Sequence, residues 1–191
     1  SITIPDSVTT IGSSAFYRCN SLASITIPDS VTTIGNEAFG NCTGLISVTV
    51  GNGVELIPEK AFYSSSKLKY VALSAELKYI LNDAFNGCSA LQSIDIPKSV
   101  TTIEHGTFHN CSALQNIDIP NSVTKIGYGS FDGCSALQSI DIPNSVTENG
   151  NSAFYSCTNL TSITIPDSVT KIGDSACQDC DSLTSVTIPD S

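Results

Sequence analysis

The side chains that could do chemistry in this sequence recur at one spacing, and that spacing decides most of what they can do. Cys177 and Cys180 have the CxxC arrangement of half a zinc site or a thiol–disulfide pair. No second half follows downstream, so the reading taken is two packed thiols, with Cys177 standing where a core phenylalanine is expected. Cys19, Cys42, Cys88, Cys111, Cys134 and Cys157 share a single column with Cys180, and Ser65 fills its one gap. Side chains stacked in one column run parallel and do not meet, which argues against a disulfide framework and for compact buried thiols. His105 and His109 stand four apart beside Glu104. On a helix that spacing could hold a metal, but here it falls on a turn around Phe108 and predicts two solvated imidazoles. Serines are abundant, yet none stands in a nucleophile constellation. There is no glycine-rich phosphate loop and no paired-carboxylate motif, so no enzyme, cofactor or metal site is expected.

The acidic residues are more informative. Asp95, Asp118 and Asp141 recur at the same interval. If that interval is one turn of a stacked structure, three carboxylates lie ~4.8 Å apart. Each neighbouring pair then repels by somewhat under ~1 kcal/mol in water and by more when partly desolvated. Such a strip suits a basic segment or Ca²⁺, although duplication of the repeat would also copy it.

The elements that must position these residues follow from the period. "SITIPDSVT" occurs at Ser1, Ser24 and Ser162, and every unit aligns at 23 residues without insertion. Eight units run from Ser1 to Thr184, and Ser185–Ser191 begins a ninth. A fixed period of this size marks a solenoid whose units bury their apolar faces against one another. Ile2, Ile25, Val48 and their equivalents alternate with Ile4, Ile27 and Val50 across small polar residues, the period-two pattern of a strand with one buried face. Proline follows in most units, from Pro5 and Pro28 to Pro189, and ends each strand because it has no N–H for a ladder. A second apolar pair (Val8 with Ile11), an Ala-Phe pair (Ala15-Phe16) and a leucine (Leu22) complete the coil. Phe85→Ala is therefore expected to be costly and a change at Asn86, read as exposed, mild.

Two departures stand out. Units three and four, Ser47–Gln92, lose the proline and most of the SVT phrase. Asn149 replaces the expected isoleucine after Val146, which predicts a local disturbance or a hydrogen-bonded amide. The two degenerate units also hold Lys60, Lys67, Lys69 and Lys78 with Tyr63, Tyr70 and Tyr79. Of these, Lys69 and Tyr70 flank the strand whose exposed column becomes Asp95, Asp118 and Asp141 in later units.

Acidic side chains number 18 against 8 basic ones, a formal charge of −10. That balance excludes nucleic acid or anionic lipid binding through a positive footprint. No run approaches the ~18 apolar residues of a membrane span, and no apolar leader precedes the first unit.

Read across the unit boundary, Leu22-x-x-Ile25-x-Ile27-Pro28 looks like the strand segment of a leucine-rich repeat. The fuller phrase IPxSVTxIGxxAFxxCxxLxSI resembles the BspA-type subclass, found in surface proteins of bacteria and some protists, and covers all 191 residues. The resemblance implies a right-handed arc with a parallel sheet on its inner, concave face and short extended or helical-turn segments outside. It also implies a single solenoid domain on the cell surface or secreted, with adhesion to host or neighbouring-cell proteins as its role. Because the chain opens and closes within the repeat, it is expected to be a piece of a longer protein. The expected function is a monomeric protein-binding scaffold using Lys69, Tyr70, Asp95, Asp118 and Asp141 on the inner face. The rivals are an architectural spacer without a ligand and recognition of an ordered surface such as ice by the Thr3, Thr26 and Thr49 column.

Overall fold

The computed structural model describes residues 2–188, which wind into stacked coils with fourteen short strands and no helix. Pro189 lies outside the described residues. The longer strands are β2 (Ser24–Ile27), β4 (Ser47–Val50), β6 (Tyr70–Ala72), β10 (Ser139–Asp141), β12 (Ser162–Thr164) and β14 (Ser185–Thr187). The remaining strands have two residues each: β1 (Thr10–Ile11), β3 (Thr33–Ile34), β5 (Leu56–Ile57), β7 (Tyr79–Ile80), β8 (Thr102–Ile103), β9 (Lys125–Ile126), β11 (Glu148–Asn149) and β13 (Lys171–Ile172). All pairings are parallel and join residues one period apart, such as Ile25 with Val48 and Glu148 with Lys171. The register is the sequence period made physical. One inserted residue would turn a buried isoleucine out to solvent.

Between the strand columns lies a continuous core. Phe16, Phe39, Phe62, Phe85, Phe108, Phe131 and Phe154 stack ring over ring, with centroids 5.2–5.8 Å apart and planes within 14° of parallel. The spacing falls within the ~4.5–7 Å centroid range of offset-stacked rings. Gly127 and Gly150 let the second strand column close up: a Cβ on either would meet backbone of the preceding coil at 2.8 or 2.5 Å.

The cysteine column is buried, as expected, but its role is more specific than packing. The thiol of Cys88 donates to the Phe62 carbonyl at 3.2 Å. Cys111, Cys134 and Cys157 repeat the bond to Phe85, Phe108 and Phe131. In the one coil without cysteine, the Ser65 hydroxyl makes the equivalent bond to Phe39 at 3.0 Å. A small donor is required there to pair a buried carbonyl, and thiol or hydroxyl serves.

Two expectations are corrected, at Asn149 and at Asn86. Units three and four keep their pairing, β4 with β6 and β5 with β7, despite the missing prolines. At Asn149 there is no disturbance of the chain: β11 pairs on both sides, with β9 and β13. Its buried amide nevertheless has no hydrogen-bond partner among the described residues for either nitrogen or oxygen. Ladder bonds are made by backbone groups, so an ill-suited side chain leaves them intact. Asn86 is half-buried, not exposed, and its side-chain amide donates to Asp83 at 2.8 Å.

Candidate functional site

The inner sheet presents one face to the core and one to solvent: β2 and β4 alternate exposed or half-exposed with buried residues, Thr26 and Thr49 pointing out. The outward column continues through Ala72, Asp95, Asp118, Asp141 and Thr164, all exposed. The sheet itself is interrupted. β2-β4-β6 and β10-β12-β14 form separate three-stranded sheets, and Ser93–Ile96 and Asn116–Ile119 between them form no strand. The ladder is present at Thr26 beside Thr49 and at Asp141 beside Thr164. It is absent at both places where aspartate stacks on aspartate, and also between Ala72 and Asp95 and between Thr3 and Thr26. Threonine is strongly strand-favouring and aspartate strand-depleted, a difference within a scale of ~1 kcal/mol. Carboxylate repulsion of somewhat under ~1 kcal/mol per pair acts in the same direction. Nothing along the chain signals the break, because the IDIP phrase fits the consensus better than the degenerate units do.

At the first junction of this interruption the surface is concave. A groove of about 240 Å³ is lined by Lys69, Tyr70, Ala72 and Asp95 among others. A second, of about 390 Å³, shares Val71, Ala72 and Asp95 and extends to Pro97 and Lys98. Ala72 makes the hollow, since threonine or aspartate holds its place in the other coils. Tyr70, 64% exposed, projects at the rim, and its amide and that of Lys69 are fixed by the Ile46 carbonyl at 3.1 and 2.9 Å. Lys69, Tyr70 and Asp95 therefore come together. Asp118 and Asp141 continue the column from Asp95 without lining either groove. The other basic and aromatic residues of units three and four disperse. Lys78 pairs with Glu55 at 2.9 Å and Lys60 with Glu59 at 3.3 Å, while Tyr79 lies on β7 in the other strand column.

The histidines do not form a site. His105 Nδ1 accepts from the Tyr128 amide at 3.0 Å, while His109 Nε2 lies 3.6 Å from Asp132. Burial raises the Asp132 carboxyl above its ordinary value, with His109 opposing. Among the described residues no group of three or more His, Cys, Asp or Glu could hold a metal ion, and no helix is long and apolar enough to cross a membrane.

Stacked parallel coils with a leucine-rich core and one solvent-facing strand column define a leucine-rich-repeat solenoid. The sequence profile of the BspA type leucine rich repeat region matches residues 1–111 and 78–191, in 6 copies. The chain belongs to that family. Among solved structures it is similar to a leucine-rich repeat protein of T. pallidum, TpLRR, at 28% identity and a TM-score of 0.79, covering 85% of this chain and 78% of that one. A leucine-rich repeat protein from Bacteroides ovatus is 25% identical, with a TM-score of 0.56 over 97% of this chain and 71% of the other. The pneumococcal vaccine antigen PcpA shares the fold at 22% identity and a TM-score of 0.57, covering 94% of this chain and 53% of that antigen. No curated protein shows significant sequence similarity to the chain.

Proposed function

We propose that the chain is a cell-surface or secreted binding scaffold, part of a longer protein, that engages a protein of a host or neighbouring cell through the exposed face of its inner sheet. The observation that carries this reading is the pair of grooves meeting at Ala72 and Asp95, beside the exposed Tyr70 and at the head of an exposed acidic column. A preformed face avoids the ordering cost that a flexible binder incurs. An amphipathic aromatic next to a hollow is the kind of anchor that concentrates binding energy. The partner segment that fits is basic: its cations would lie along Asp95, Asp118 and Asp141, with one side chain seated against Tyr70 and Lys69 at the margin. Membership of a repeat family without catalytic machinery, and the standing of PcpA as a vaccine antigen, support display and binding over catalysis.

The test is biolayer interferometry of the chain against a panel of extracellular matrix and cell-surface proteins. The triple substitution Asp95→Lys, Asp118→Lys, Asp141→Lys is measured in parallel. A ligand of this face loses well beyond tenfold in affinity with the triple variant and weakens with added salt. Unchanged binding would remove the aspartates from the site, and no binding to any panel member would favour the spacer reading.

A further inference from the structure

In the middle coils the phenylalanine and the residue three places on point into the same core: Phe131 and Cys134, and likewise Phe154 and Cys157, are fully buried. A tight turn joins each pair, closed in the second case by the Cys157 amide donating to the Phe154 carbonyl at 3.3 Å. The ends of such a turn lie within ~7 Å of each other at Cα. The last complete coil places cysteine at both ends, Cys177 in the phenylalanine column and Cys180 in the thiol column. With no ring to separate them, the two thiols adjoin, and each shifts the other's titration. Cys180 also keeps the column's bond to the Phe154 carbonyl, at 3.1 Å. Both are half-buried, whereas Cys88, Cys111, Cys134 and Cys157 are sealed in the core, each in a different coil. Disulfides require Cα atoms ~4.4–6.8 Å apart and converging Cβ atoms. A four-residue turn holds its end Cα atoms within about that reach, and both side-chain columns face the core.

We propose that Cys177 and Cys180 form a redox-active pair that a small-molecule disulfide, such as oxidised glutathione, converts to a disulfide within the coil. The Cys177 thiolate attacks one sulfur of the reagent, whose S–S bond breaks and releases one glutathione. Cys180 then loses its proton to solvent and attacks the Cys177 sulfur of the mixed disulfide, expelling the second glutathione. Two protein thiols are oxidised and one reagent disulfide is reduced to two thiols. Interaction with the adjoining Cys180 holds the Cys177 thiol below its ordinary value despite burial, while Cys180 keeps its proton on the Phe154 carbonyl, which assigns the attack to Cys177 and the resolving step to Cys180. The closed ring fixes the turn of the last complete coil.

The experiment incubates the folded chain with oxidised glutathione, quenches in acid, denatures, and alkylates with iodoacetamide. Six of the eight cysteines alkylate, and the tryptic peptide that begins after Lys171 is lighter by two hydrogens than its fully reduced form. Cys180→Ser accumulates a glutathione adduct on Cys177 that does not resolve. Cys177→Phe restores the aromatic column and so the fold, and all its remaining thiols alkylate after the same treatment. Alkylation of all eight thiols in the oxidant-treated wild type would overturn the proposal. So would an unresolved adduct in the wild type, or undiminished loss of two thiols in Cys177→Phe.

Discussion

At the scale of single residues, Asn149 is the clearest local defect. Its amide sits in a column occupied by Ile126 before it and Ile172 after it, and it has no hydrogen-bond partner among the described residues. A buried, unsatisfied polar group costs about 1–3 kcal/mol. Asn149→Ile should therefore stabilise the fold by about that amount, read as a higher thermal midpoint; an unchanged or lower midpoint would show that the amide finds a partner. The cysteines give a pH dependence. Burial raises Cys88, Cys111, Cys134 and Cys157 above the ordinary thiol value of 9.0. As pH rises past that value, the unfolded chain releases these protons while the folded chain retains them. Stability is thus fully present below pH 9.0 and falls above it, by about 1.4 kcal/mol per pH unit for each thiol. Urea unfolding from ~pH 8 to ~10 checks this, and a flat profile would contradict it. That the column was buried could be read from residue type. That each thiol donates to a phenylalanine carbonyl could not, because a buried cysteine reads as a hydrophobe; only Ser65, a polar residue in the same column, hinted at it.

At the scale of elements, backbone pairing and side-chain pattern part company. The alternation of Ile25, Thr26 and Ile27 located the inner strands, and the two-residue strands end on the second member of the second apolar pair, as at Ile11 and Ile34. The interruption from Ser93 to Ile119 was not legible, since it depends on neighbours stacked across coils more than on neighbours along the chain. Hydrogen exchange resolves the question. Amides of Ile94–Ile96 and Ile117–Ile119 should exchange faster than those of Ile25–Ile27 and Val48–Val50, which the ladder ties. Replacing Asp95 and Asp118 by threonine should slow them. Equal protection in the two sets would mean that the inner sheet is continuous and that its acidic column costs nothing in pairing.

At the scale of the molecule, each coil contacts only its neighbours, so stability is a chain of nearest-neighbour interfaces. Phe85 lies between Phe62 and Phe108 at 5.4 and 5.8 Å, and is fully buried. Phe85→Ala removes both contacts and should cost about 3–5 kcal/mol. Because the loss falls in mid-array, urea unfolding is expected to separate into two steps, and a single step of unchanged midpoint would contradict this. The proposed binding face belongs to this scale too: Asp95, Asp118 and Asp141 come from different coils, and only the shared repeat makes them one strip. The hollow beside Ala72 was beyond reach of the sequence, because neighbouring coils must be in place before an absent side chain becomes a groove.

The central claim is that equivalent side chains of successive coils form one water-excluding stack. The most direct measurement is a NOESY spectrum of the chain with its seven phenylalanines selectively labelled. Ring-to-ring cross-peaks are predicted for each of the six adjacent pairs from Phe16–Phe39 to Phe131–Phe154, and none between rings two coils apart. Rings without cross-peaks to their neighbours, or contacts that skip a coil, would contradict it.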